Sequence, residues 1–154
     1  MKFLLAVWRW LPIRIQQLAS LIVRPRYQVT VAAVILNARK QLLLCEHTYR
    51  RKYPWGLPGG DIKFGEDPVE AIKREVLEET GLHVQTGELL FVENSTGIRH
   101  VELVYLCTGV RGDFVPNDEV ARIQYFDIAA LPEFFPAQRE TISRALECIG
   151  QNSL

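Results

Sequence analysis

Three glutamates, Glu75, Glu78 and Glu79, have a spacing that could form a chemically functional site. Positions i, i+3 and i+4 of an α-helix share one face, and like charges so placed repel one another by a few tenths of a kcal/mol per pair. A divalent cation with a preference for oxygen ligands would relieve that repulsion. The spacing therefore predicts a metal site, and the alternative is an acidic helix face that is merely solvated.

The residues around these glutamates predict the helix that would hold them. Asp67 is a favourable N-cap, Pro68 suits the first helical position, and Glu70 completes a capping-box pattern with Asp67. Gly81 is expected to end the helix. A different face of the same helix carries apolar residues that can pack on a core, namely Val69, Ile72 and Val76.

The run from residue 60 to residue 82 follows one longer pattern. It reads as a Gly, five residues, a Glu, seven residues, and then Arg-Glu-aliphatic-x-Glu-Glu-x-Gly-aliphatic. With every fixed position present, the run resembles the signature box of the Nudix hydrolases. A solvated acidic face explains neither Gly60, Glu66 nor Arg74. The preceding Trp-x-x-Pro-Gly-Gly segment, residues 55–60, is similar to the entry into the box that is common in that family.

The resemblance implies roles for individual residues of the box. The implied metal ligands are Glu75, Glu78, Glu79 and the main-chain carbonyl of Gly60, with Mg²⁺ as the ion and Mn²⁺ as an alternative. Arg74 lies beside Glu75 and within reach of Glu78 at i+4, so it can orient a carboxylate through charge-assisted hydrogen bonds. Glu66 can pair with Arg74. We therefore count Arg74 with the catalytic residues and expect Arg74 and Glu66 to support the metal ligands.

Hydrolysis of a diphosphate also needs a general base, which in this family often lies outside the box. Glu119 is the candidate, because the segment from Asp118 to Pro132 resembles the acidic loop before the last strand in many members. Two alternatives remain: Glu119 is an exposed loop acid, or Asp118 or a box glutamate is the base. The implied reaction is in-line attack of water on a diphosphate whose charge a metal ion neutralises.

A basic stretch from Arg39 to Lys52 comes just before the box entry and could attract phosphates. Its candidate substrate-binding residues are Arg50 and Arg51, with Tyr53, Trp55 and Phe64 available to stack on a base. This arrangement favours a nucleoside triphosphate, split into monophosphate and pyrophosphate. The alternative for the basic stretch is a solvated loop.

Two further functions compete with triphosphate hydrolysis. One is the cleavage of ADP-ribose or a nucleotide sugar, although Thr96, Gly97 and Ile98 depart from the Pro or Tyr that some branches carry there. The other is a binding or regulatory module that keeps the fold without turnover. A self-repelling carboxylate cluster has no use in such a module, so the intact box favours a hydrolase.

The remaining pattern predicts the elements that position these residues. Residues 29–36 and 41–46 indicate two strands joined as a hairpin, and residues 83–93, 98–108 and 120–126 indicate three more. A closing helix is indicated by apolar residues at i, i+3, i+4 and i+7: Ile142, Ala145, Leu146 and Ile149. Strands interleaved with helices predict an α/β domain, and the resemblance, which covers residues 28–149, narrows it to a Nudix-type α/β/α sandwich with a mixed sheet.

The 154 residues suit one catalytic domain, residues 27–154, preceded by a basic amphipathic segment, residues 1–26. In that segment apolar residues recur at helical spacing from Ile13 to Ile22. The segment could pack on its own domain, join a homodimer, or lie on an anionic membrane surface, because Trp8 and Trp10 suit an interface. Net charge is zero, so nucleic acid is an unlikely partner. Three unpaired-looking cysteines indicate the cytoplasm, with a peripheral membrane location as the alternative.

Overall fold

The computed structural model describes residues 8–16, 26–95 and 99–151. Within them the chain forms seven strands and two longer helices. The strands are β1 (Gln28–Ile35), β2 (Leu42–His47), β3 (Trp55–Gly56), β4 (Gly59–Asp61), β5 (His83–Ser95), β6 (His100–Arg111) and β7 (Val120–Phe126). The helices are α1 (Pro68–Thr80) and α2 (Pro136–Gln151), and a short 3-10 helix, Ile128–Ala130, precedes α2.

The strands form two sheets. The larger sheet has the order β4-β1-β6-β5. Strand β1 runs parallel to β6, whereas β4 pairs with β1 and β5 pairs with β6 in the antiparallel sense. The smaller sheet has the order β3-β2-β7 and is antiparallel throughout. The predicted mixed sheet is therefore confirmed.

Strand β1 shows how the layers are built, because its successive side chains point to opposite faces of the sheet. Val31, Ala33 and Ile35 belong to a core cluster with Ile72 and Val76 of α1. The alternate residues belong to a second cluster, which includes two residues of α2: Ala32, Val34, Ile142 and Ala145. The sheet thus lies between two helices, and the predicted α/β/α sandwich is confirmed.

Helix α1 begins and ends where the sequence predicts. The Asp67 carboxylate accepts a hydrogen bond of 2.8 Å from the Val69 amide, and Pro68 is the first helical residue. Gly81 adopts a left-handed φ of 74° and donates its amide to the Leu77 carbonyl. The second half of the predicted capping box is wrong, because the Glu70 carboxylate accepts from Lys73 Nζ at 2.8 Å instead.

The predicted hairpin of β1 and β2 is also wrong. A turn does join them, with the Asn37 amide donating to the Gln41 carbonyl, but only one isolated bridge, between Leu36 and Leu42, links the two strands. Beyond that bridge β1 pairs with β6 and β2 pairs with β7. Both faces of β2 are buried, so it can serve as the centre of the second sheet rather than as an edge beside β1.

Part of the predicted N-terminal segment can be followed. Residues 8–10 and 13–16 are helical, and Trp10 and Ile13 are exposed. The rest of the predicted amphipathic helix, with Leu18, Leu21 and Ile22, lies outside the described residues, as do residues 96–98. The division at residue 26 stays a prediction. None of the helices in the described part of the chain is long and apolar enough to cross a membrane.

Candidate active site

The site lies where α1 faces β4, and Gly60 controls how closely the two approach. Antiparallel pairing places Gly60 opposite Val31 of β1. A Cβ built on Gly60 would lie 2.6 Å from Cδ and 3.0 Å from Oε1 of Glu75. A glycine at this position therefore lets the Glu75 carboxylate lie directly against the strand.

The neighbouring glycine, Gly59, lies close to the backbone of β1. Gly59 has a φ of 153°, and a Cβ on it would lie 2.9 Å from Cα of Ala32 in β1. Its amide donates a hydrogen bond of 2.9 Å to Oε2 of Glu79. The two consecutive glycines thus bring β4 within contact of two box glutamates, Glu75 and Glu79.

Arg74 connects three carboxylates of the box region. Its Nε and Nη2 donate to the two oxygens of Glu66 at 2.7 and 2.8 Å, which is a bidentate pair. Its Nη1 donates to Glu75 at 2.5 Å and to Glu78 at 3.0 Å. Nη2 also donates to the Asp61 carbonyl at 2.9 Å. One guanidinium therefore ties α1 to β4 and to the loop that carries Glu66.

Hydrogen bonds also set the charge of Glu66. The Arg74 side chain lowers the pKa of Glu66 most, and the Lys63 amide, at 2.9 Å from Oε2, lowers it further, to about 2. Glu66 is thus ionised over the physiological range. The structure places Glu66 and Arg74 in the contact that the sequence suggested, and their roles in supporting metal ligands stay predictions.

Glu79 differs from the other two box glutamates because it is buried. Only 5% of it is exposed, whereas the Glu78 side chain is 54% exposed. Burial raises the pKa of Glu79 to about 8, the charges of Glu75 and Glu119 raise it too, and the Gly59 amide opposes them. An ionised Glu79 is therefore a negative charge held out of water beside two others, which is a place where a cation is favoured.

His47 lies beneath the site and was not singled out from the sequence. The residue is 2% exposed, and its Nδ1 is 3.9 Å from Oε1 of Glu79. Burial, and then the charge of Arg50, lowers the pKa of His47 to about 4, so the ring is neutral. Neither ring nitrogen has a hydrogen-bond partner among the described residues. Both faces of β2 are buried and its register shifts between Glu46 and His47, so alternation along the strand could not have identified this ring as part of the site.

The loop before β7 is anchored to the end of α1 by Asn117, another residue that the sequence reading missed. Its Nδ2 donates to the carbonyls of Glu78 and Glu79 at 2.9 and 3.0 Å. Its Oδ1 accepts from the amides of Glu119 and Val120 at 2.9 and 2.8 Å. The structure therefore brings the exposed Glu119 near Glu79, whose pKa its charge raises. The role of Glu119 as base stays a prediction.

The box offers oxygen ligands of the kind that a divalent cation with hard character prefers. Within residues 8–16, 26–95 and 99–151, no three His, Cys, Asp or Glu side chains are gathered closely enough to hold an ion. Glu75 and Glu78 are drawn to Arg74, and Lys63 lies 3.5 Å from Glu78. The residue types and the buried carboxyl group of Glu79 nevertheless fit Mg²⁺ or Mn²⁺ and not a softer metal.

Two adjoining cavities open beside the box. The smaller, of about 250 Å³, is lined by Gly59, Gly60 and Asp61. The larger, of about 620 Å³, is lined by residues that include Lys52, Tyr53, Glu93 and Phe135. Four residues line both cavities, namely Arg50, His100, Glu102 and Gln138. The cavities therefore form one cleft that leads from the box glycines to an aromatic pocket.

Only some of the predicted substrate-binding residues line this cleft. Arg50 and Tyr53 line the cleft, whereas the exposed Arg51 and the fully exposed Phe64 line neither cavity. The stacking prediction for Trp55 is wrong. Its ring is 8% exposed and packs edge-on against Phe126 at 4.8 Å, because β3 directs it into the core.

Comparison with known proteins adds to this geometry. The family model described as NUDIX domain matches residues 26–146. An ADP-ribose pyrophosphatase of Methanocaldococcus jannaschii is 30% identical over 109 residues, which are 68% of this chain and 64% of the relative. A MutT-like protein of Streptomyces ambofaciens is 36% identical over 83 residues, which are 54% of this chain and 53% of the relative.

Solved structures agree with the fold. A crystal structure of a UDP-X diphosphatase superposes with a TM-score of 0.73 at 25% identity, covering 89% of this chain and 71% of that one. The chain spans between about half and two thirds of the length of the two curated relatives described above.

Proposed function

The chain belongs to the Nudix hydrolase family, and from that premise we propose that it is a magnesium-dependent hydrolase that cleaves the diphosphate linkage of a nucleoside diphosphate derivative. The observation that carries this proposal is the cleft. Its narrow end lies against Gly59 and Gly60, beside the Glu75 and Glu79 carboxylates, and its wide end is lined by aromatic rings. A phosphate chain at the narrow end and a nucleoside at the wide end match these two environments.

The residues of the box and Glu119 would have different roles in the reaction. Glu75, Glu78 and Glu79, with the Gly60 carbonyl, would hold the metal, which when bound neutralises phosphate charge and helps to ionise water. Arg74, held by Glu66, fixes the direction of Glu75 and Glu78. Glu119 is placed by Asn117 and would take the proton from the attacking water.

We further propose that nucleoside triphosphates, cleaved to monophosphate and pyrophosphate, are better substrates than ADP-ribose or nucleotide sugars. The support is charge, since Arg50 lines both ends of the cleft and Lys52 lines its wide end, and both would attract a chain of phosphates into the cleft. The names of the relatives point to different substrates, including ADP-ribose for one and UDP-X for another, and so do not choose among them.

The test compares kcat/KM for nucleoside triphosphates, ADP-ribose and a UDP-sugar in Mg²⁺, for wild type, Arg50→Ala and Arg51→Ala. We expect triphosphates to be preferred and Arg50→Ala to lower their kcat/KM by about 10- to 100-fold, since a charge-assisted contact is worth about 1.5–3 kcal/mol. Arg51→Ala, at an exposed position outside both cavities, serves as the matched control.

Different outcomes would reject the substrate assignment and the hydrolase assignment. A preference for ADP-ribose that Arg50→Ala does not change would reject the triphosphate assignment and keep the hydrolase. Absence of turnover with every substrate in Mg²⁺ and in Mn²⁺, from a protein that binds nucleotides, would replace the hydrolase with a binding module.

A further inference from the structure

Three neighbouring strands carry a polar row across the floor of the cleft, from Thr30 at its narrow end through Glu102, which lines both cavities, to Glu93 at its wide end. Thr30 of β1, Glu102 of β6 and Glu93 of β5 stand directly opposite one another in register. Two residues further along the same strands, the same face carries the apolar row Ala32, Val104 and Phe91 of the core around α2. The sheet face therefore changes from apolar core to carboxylate-bearing floor at the point where the cavity of about 620 Å³ begins.

The two carboxylates on this floor have different surroundings. The Thr141 hydroxyl of α2 donates to Oε2 of Glu93 at 3.1 Å. Neither Glu93 nor Glu102 forms an ion pair within 4.0 Å in the part of the chain that the structure describes. Burial raises the pKa of Glu102, the charge of His100 opposes that rise, and the charge of Glu93 adds to it, while Arg50 and a hydrogen bond with Thr30 lower it. Like charges directly opposite on paired strands destabilise a sheet, and N–H donors of a ligand would offset the repulsion between these two carboxylates.

The remaining walls of this cavity suit a flat aromatic ligand. The Tyr53 and Phe135 rings meet edge-on with centroids 6.5 Å apart, and both line the cavity. Phe135 is 60% exposed, so its ring is available for contact. Aromatic side chains stack on any nucleobase and do not distinguish one base from another. Selection among bases must therefore come from the polar floor.

We propose that Glu102, with Glu93 beside it, binds the hydrogen-bonding edge of the nucleobase and selects guanine. This inference rests on the proposed function, because it assigns the wide end of the same cleft to the base. Guanine presents N1–H and the 2-amino group side by side, and one carboxylate can accept from both. Adenine and cytosine place a ring-nitrogen lone pair next to their amino group, and uracil flanks its N–H with carbonyl oxygens. Those lone pairs would face a carboxylate and be repelled.

The experiment measures binding apart from turnover. Calorimetry compares GMP, IMP and AMP with wild type, Glu102→Gln and Glu93→Gln, and kcat/KM is measured in parallel for GTP, ITP and ATP. IMP differs from GMP only by the missing 2-amino group. We expect wild type to bind GMP at least about 10-fold more tightly than AMP, with IMP in between, because each lost hydrogen bond to a charged group costs about that factor.

Glu102→Gln keeps the size of the side chain but replaces one acceptor oxygen with a donor, so GMP should lose about 10-fold in affinity. AMP should bind more tightly than to wild type, because the amide can donate to the adenine ring nitrogen that the carboxylate repels. Glu88→Gln, an exposed residue of β5 outside the cavity, is the matched control and should bind like wild type.

Equal affinity of wild type for GMP, IMP and AMP would overturn the inference, as would a Glu102→Gln protein that keeps the wild-type preference. If Glu102→Gln fails to fold, Glu93→Gln and the wild-type comparison of GMP with IMP decide the question. The two proposals fail separately. Selective GMP binding without hydrolysis would reject the hydrolase and keep the guanine site, whereas hydrolysis without base preference would do the reverse.

Discussion

Replacing Gly60 with alanine tests whether the position of the Glu75 carboxylate sets the activity. The added Cβ would lie 2.6 Å from Cδ of Glu75. Carbon atoms in ordinary contact are about 3.5–4.0 Å apart, so the carboxylate must move by about 1 Å. The obstacle is the end of a side chain and not backbone, so the helix and the strand can stay where they are.

The expected loss follows from that displacement. A misplacement of about 1 Å in a catalytic group can cost about 10²-fold in rate. The moved carboxylate would also lose its 2.5 Å contact with Arg74, which holds it in its present direction. We expect kcat of Gly60→Ala to fall by about 10²-fold, while urea unfolding stays cooperative with a midpoint close to that of wild type.

Two other glycines provide the controls. Gly150→Ala, at a helical position of α2 with nothing within 4 Å of the new Cβ, should keep full activity and gain roughly 0.5–1 kcal/mol of stability. Gly59→Ala would meet the backbone of Ala32 and should disturb folding itself. Wild-type kcat in a folded Gly60→Ala protein, or a loss of activity explained by unfolding, would refute the reasoning.

Three further predictions concern the box, the base and the N-terminal segment. The pKa of Glu79 is raised from 4.5 to about 8, so its stabilising effect is full below the lower value and is lost as pH rises towards the higher one. Glu79→Gln should remove that loss, as urea unfolding in EDTA at about pH 5 and 9 would reveal, while turnover falls at least about 10²-fold; unchanged turnover would contradict the metal assignment. Glu119→Gln should lower kcat by about 10²–10⁴-fold with Mn²⁺ affinity unchanged, and wild-type rates would move the base into the box. Deleting residues 1–24 should leave a cooperatively folding domain, with sedimentation and liposome flotation reporting whether the segment joins subunits or contacts anionic lipid; an unfolded product would disprove the domain division.

Much of the local structure was readable from the sequence, because local patterns determine it. Asp67, Pro68 and Gly81 bound α1 through hydrogen bonds and φ preferences within a few residues, and the spacing of Glu75, Glu78 and Glu79 needs only a helix to share a face. The strand predicted at residues 120–126 and the closing helix follow from periodicity in the same way. The box itself was recognisable because its glycines and charged residues stand at fixed spacings within residues 60–82.

The tertiary structure decided what depends on distant residues. Strands β1 and β2 are adjacent in sequence, but their partners are β6 and β7, so hydrogen bonding over long separations divided the expected hairpin between two sheets. Trp55 is buried in the core, and His47 lies under Glu79. The sequence does not show either position, because which side chains are buried depends on how the two sheets pack. Glu102 and Glu93 became neighbours through register alone. The local sequence predicted which residues of α1 could bind a metal, and the pairing of remote strands determined the cleft that faces them, because burial and register exist only between segments that folding brings together.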